Sequence, residues 1–214
     1  TREYIAKEVL PYIILMPNAG SRGAMWQEIE GSKRDTPARM MLPIFPSQEV
    51  SKSIICLAGE FRWEMCRREQ GVHWNDVTDP SLTSEYCDYI QFYRKNHDLS
   101  PEAKEKLKAA LQKARNSYKQ VFIADYLCYI AYESKGSARL NKVARGLIFK
   151  YCPFPAAIRD PLGDTSPLYT EIVNRYRIKL GQKTHLLDNV IQKLKNNGTP
   201  IPEEITEQYN FLMK

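Results

Sequence analysis

Five basic side chains between Lys135 and Tyr151 are the residues in this chain best spaced to act together. With each residue set about 100° on from the last, Lys135, Arg139, Lys142, Arg145 and Lys150 share an arc of about 140°. Leu140, Val143, Ala144, Leu147, Ile148 and Tyr151 fill the opposite arc, and no acid interrupts the run. The spacing predicts one amphipathic helix that buries its apolar side and offers its charges to an anion. Arg175, Arg177 and Lys179 continue the same chemistry further along. That chemistry is ionic recognition, with nucleic acid and acidic protein surfaces as the candidate partners. No helix-turn-helix, zinc-finger or RNA-binding sheet signature accompanies it. The plain alternative is a solvated surface that keeps the chain in solution.

Two other clusters hold reactive residue types. The loop Gly20-Ser21-Arg22-Gly23 precedes an expected helix from Ala24 to Ile29. Amides at a helix N-terminus attract anions, and Arg22, Arg34 and Arg39 would add charged forks for a phosphate or carboxylate. This supports an alternative function, an enzyme or sensor domain binding a phosphorylated small molecule. The loop lacks the Gly-Lys-Ser/Thr of a P-loop and the dinucleotide fingerprint. Glu28, Glu30 and Asp35 also lie close enough in sequence to pair with these arginines. Glu64, Cys66, His73 and Asp76 form the densest polar run, yet their spacing matches no established zinc pattern. The three histidines, at 73, 97 and 185, do not group. No metal site, cofactor or catalytic residue is therefore assigned. Tyr86, Tyr89, Phe92 and Tyr93, followed by Arg94 and Lys95, have the chemistry to stack on unpaired bases. Their three-and-four spacing instead marks the buried face of a helix.

The elements that must position these residues are helical. Ser47 is placed to cap a helix running to about Glu69, with Val50, Ile54, Leu57, Phe61 and Met65 on one face and Gly71 closing it. Asp79-Pro80 starts the next helix and Ser100-Pro101-Glu102 a third. That third helix continues into Val121–Tyr132, apolar nearly all round except for Asp125, which belongs in the middle of a bundle. Phe122, Leu127, Ile130 and Ala131 are its expected core residues, and Asp125 needs a partner. Asp160 to Pro167 reads as a loop. Leu168–Leu180 and Thr184–Lys195 read as two helices meeting near Gly181, and Pro202–Met213 as a short last one. The first 46 residues are loop-rich: Tyr12–Met16 is a strand or buried extended segment, and Lys33–Pro46 an ordered loop. The expected fold is all-α, an irregular bundle of about six to eight helices (47–214), with the loop-rich segment 1–46 packed on it.

Composition agrees with a globular chain. The 214 residues are 43% hydrophobic and 26% charged, with a formal charge of +6. Residues 1–100 hold 12 Lys and Arg against 14 Asp and Glu, while residues 101–214 hold 19 against 11. The excess thus lies in the C-terminal half, beside the basic run. Five cysteines at 56, 66, 87, 128 and 152, without CxxC spacing, read as reduced buried thiols of a cytoplasmic protein. No apolar run reaches the ~18–20 residues of a membrane span. Thr1 in place of Met suggests a piece of a longer protein. Together these features predict a non-enzymatic helical binding or scaffold domain that meets an anionic partner.

Overall fold

The computed structural model describes residues 10–20, 24–26, 39–47 and 49–213. They fall into two compact units, within Leu10–Cys152 and within Pro153–Lys214. Among the described residues there are eight α-helices and one small sheet, so the fold is all-α and multi-helical. No described helix is long and apolar enough to cross a membrane.

The first unit opens with three strands, β1 (Tyr12–Gly20), β2 (Ala24–Trp26) and β3 (Arg39–Pro46), in the order β1-β3-β2. β1 runs parallel to β3, with Tyr12 opposite Arg39 and Met16 opposite Pro43, and β2 runs antiparallel to it. The β1–β3 register slips between Met16 and Ala19, around Pro17, which has no N–H to give the ladder. The strand expected at Tyr12–Met16 is present, but it is not buried: Ile13 is 67% and Leu15 64% exposed. Ala24–Trp26, the first part of the helix expected to Ile29, is instead strand paired with β3, and the rest of that helix lies outside the described residues. From Arg39 onward the expected loop is likewise strand.

Five helices follow in this unit: α1 (Val50–Gln70), α2 (Leu82–Gln91), α3 (Pro101–Lys113), α4 (Tyr118–Ala131) and α5 (Lys142–Tyr151). α1 starts after Glu49, not at Ser47, and ends at Gly71, whose φ of 57° suits glycine. Ser81, two residues beyond Asp79, caps α2 through a reciprocal box with Ser84. Ser100 caps α3 and accepts from the Ala103 amide at 3.2 Å. α3 and α4 are separate helices. Arg115 and Asn116 take positive φ angles of 51° and 60°, which end one helix, and Ser117 caps the next. A smooth apolar pattern conceals such a break because both helices bury faces that nearly align in sequence.

The core of this unit is aromatic. Phe122 is 0% exposed, with ring centroids 5.3 Å from Trp63, 5.2 Å from Tyr86 and 5.8 Å from Tyr126. Tyr86, Tyr89 and Tyr93 are buried with Leu82 and Ile90, so they pack the core instead of facing bases, whereas Phe92, expected on the same buried face, is 46% exposed. Gly59 lets α1 approach α4. A Cβ there would lie 2.9 Å from Tyr126 Cδ1. Lys119 then ties the two helices from outside, at 2.9 Å from Glu60 and 3.1 Å from Glu64. Of the expected α4 core, Phe122 is buried while Leu127, Ile130 and Ala131 are only partly so. Val121, Ile123, Tyr126 and Tyr129 take their places. All five cysteines are free thiols, but of those expected to be buried Cys87 and Cys152 are and Cys56, Cys66 and Cys128 are only half-buried.

Asp125 meets its need for a partner through Tyr86, whose hydroxyl donates to Oδ2 at 2.5 Å. Burial, assisted by Glu133, raises the Asp125 carboxyl to about 6, against the lowering effect of the Tyr86 bond. A raised carboxyl favours the folded state most below its unfolded value of 3.8, and that advantage is lost as pH climbs toward about 6. The loss is at most about 3 kcal/mol. Asp125→Asn should therefore gain stability relative to the parent between pH 4 and pH 7. Urea midpoints at the two pH values check this, and a constant difference would show that Asp125 does not titrate there.

The second unit holds α6 (Ala156–Thr165), α7 (Pro167–Asn196) and α8 (Glu203–Met213). The segment read as a loop, Asp160–Pro167, is mostly helix, with Pro161 inside α6. Val173 of α7 packs on Gly163, where a Cβ would lie 2.8 Å from Val173 Cγ1. α7 runs unbroken through Gly181, so the two expected helices are one. A lone glycine costs a helix only about 1 kcal/mol, less than thirty residues of continuous helix can absorb.

Candidate anion-binding site

The basic run does not form the single helix its periodicity predicts. Glu133–Lys135 makes one 3-10 turn, Gly136 takes φ 80°, and α5 begins only at Lys142, capped by Asn141. Lys135 and Arg139 thus precede the helix that carries the other three charges. The residue responsible is Glu133, wholly buried. Its Oε1 accepts the Arg139 and Leu140 amides at 2.7 and 2.6 Å, holding the chain in a loop. Its carboxylate also takes Arg145: Nε at 2.7 Å from Oε2 and a terminal nitrogen at 3.1 Å from Oε1. Arg145 further donates to the Leu140 carbonyl at 2.7 Å.

Arg145 is 4% exposed, so it is a core ion pair and not part of a charged face. Lys150 is on the surface but lies 2.6 Å from Glu85 of α2. Arg139 and Lys142 remain outward. Lys142 has Asp98 only at 3.9 Å, with both side chains about 70% exposed, a distance at which little is gained. Arg139 makes no ion pair among the described residues. Its guanidinium lies over the Tyr132 ring at 4.2 Å from the centroid, worth about 0.5–1 kcal/mol at an exposed site. Lys135, also exposed, ends the 3-10 turn that precedes this loop. The candidates left on the surface are thus Lys135 at the end of the 3-10 turn, Arg139 in the loop and Lys142 at the start of α5, around a loop that a buried carboxylate holds in shape. Sequence periodicity missed Glu133, although an acid immediately before a basic run was a visible signal.

The remaining sequence candidates are not assembled. Arg175 and Arg177 belong to the second unit and are matched by acids there: Arg175 by Glu171, and Arg177 by Asp160 at 3.2 Å and Asp164 at 3.8 Å. Arg22 and Arg34 lie outside the described residues. Arg39 opens β3, opposite Tyr12 and Trp26. Ala24–Trp26, the expected helix start whose amides would have joined these arginines, is a strand. In the polar run, Cys66 meets Thr83 at 3.5 Å, His73 stands 3.6 Å from Asp76, and Glu64 takes Arg67 and Lys119. No three His, Cys, Asp or Glu side chains converge as metal ligands among the described residues.

Residues 71–211 match a family described as a domain of unknown function, DUF8509. The chain belongs to this family. No curated protein and no solved structure matches it. The matched range takes in Glu133, the basic loop and α5, whereas the sheet and α1 fall outside it.

Proposed function

We propose that this member of the DUF8509 family is a non-enzymatic helical binding module. It recognises an anionic macromolecule, a nucleic acid or an acidic protein surface, through Lys135, Arg139 and Lys142. The observation that carries the reading is Arg139: an exposed guanidinium held over Tyr132 without an acid, on a loop fixed by Glu133. A preorganised cation loses less freedom on binding than one on a mobile chain. The phosphorylated-ligand alternative has no comparable support, since of its three arginines only Arg39 is described, within a sheet.

Replacing Lys135, Arg139 and Lys142 together by Ala should abolish binding to RNA, DNA or polyglutamate. Stability should fall by no more than about 1 kcal/mol, the contribution of Arg139 over Tyr132, because none of the three is in the core. If the target is duplex DNA and each residue neutralises one phosphate, log K should fall with log salt at a slope of about −2.7. Filter binding with each polyanion at 50 and 200 mM salt decides it. Salt-insensitive binding, or equal binding by the triple variant, leaves this loop as solvated surface.

A further inference from the structure

A cleft of about 210 Å³ opens in the first unit between the turn after Gly71–His73, the C-terminal end of α2 and the start of α4. Trp74, Phe92 and Tyr118 supply aromatic walls, and Asn75, Asp88 and Gln91 supply oxygen acceptors. Phe92 is 46% exposed, so its ring is open to an occupant of the cleft. The Asp88 carboxylate makes no ion pair or hydrogen bond among the described residues, and neither do the Asn75 and Gln91 side-chain amides. Of the four acids in residues 71–92, Asp88 borders the cleft, while Glu85 is paired with Lys150 at 2.6 Å. Cys87 also borders the cleft, and burial pushes its thiol up to about 11, so it adds no charge.

We infer that this cleft receives the arginine side chain of a peptide or protein partner. Its size is below the ~300 Å³ at which small-molecule sites begin, and suits one side chain. The Asp88 carboxylate, the acid that borders the cleft, disfavours an anionic occupant. Three aromatic walls favour a cation whose flat face stacks on them. Three acceptors favour an occupant with several donors in a plane, which the guanidinium has. A lysine ammonium is compact and strongly hydrated, and a quaternary ammonium has no donor for Asn75 or Gln91. This site carries the opposite charge preference from the basic loop and does not depend on it.

The test titrates the full chain with three capped tripeptides, Gly-X-Gly with X as arginine, lysine or citrulline, the last a neutral isostere of arginine. The Trp74 indole N–H resonance is the readout. The arginine peptide should give a saturable shift, with lysine at least fivefold and citrulline at least tenfold weaker. Asp88→Asn and, separately, Phe92→Ala should each weaken arginine binding at least tenfold with unchanged circular dichroism. The Lys135, Arg139 and Lys142 triple variant should bind it as the parent does. Absence of a saturable shift, equal binding of lysine or citrulline, or full binding by Asp88→Asn would overturn the assignment.

Discussion

Glu133→Ala lowers the stability of the first unit by about 3–5 kcal/mol, the cost of stranding a buried charge. Arg145 would keep its guanidinium in a site 4% exposed, with the Leu140 carbonyl but without its carboxylate. The Arg139 and Leu140 amides would lose their acceptor at the same stroke. The loss is one of pairing and not of the acid as such. Glu133→Ala combined with Arg145→Met should therefore recover much of it, since a methionine can fill the space of the stem without a charge. Urea unfolding of both single variants and the double forms the cycle. Losses that simply add would show that the two side chains are not coupled. Glu133→Ala should also weaken polyanion binding, because the loop that aims Arg139 loses its tether.

Phe122→Ala should cost about 3–5 kcal/mol. The ring is completely buried, and its neighbours Trp63, Tyr86 and Tyr126 come from three different helices. Rings of that size, anchored on α1, α2 and α4, cannot all move inward to close the hole. Tyr86 is held further by its bond to Asp125. Chemical denaturation measures the loss. A value under about 1 kcal/mol would mean that the surrounding rings repack freely.

Charge and periodicity in the chain carried most of the helical content and little of the site. The α2 stripe from Leu82 to Ile90, the Ser100 cap and the Gly71 stop were legible because each rests on neighbours within a turn or two. The end of α3 was not legible. A smooth apolar pattern runs through Arg115 and Asn116, and only a left-handed pair of residues interrupts it. The α6 helix was hidden for the opposite reason, as Pro161 and Gly163 are loop residues by propensity. Gly163 is there because α7 comes close, and a contact from another helix is absent from any local window.

The chain by itself determined that there would be many helices, an aromatic core and a basic excess in the C-terminal half, since these depend on residue types and short spacings. Tertiary structure alone decided which of the basic residues face outward. Arg145 and Arg139 share an arc on an ideal helix, but Glu133 captures the first as a buried partner and bends the backbone of the second into a loop. One carboxylate brought into the core makes that difference, because an ion at low dielectric must be paired while the same ion in water need not be.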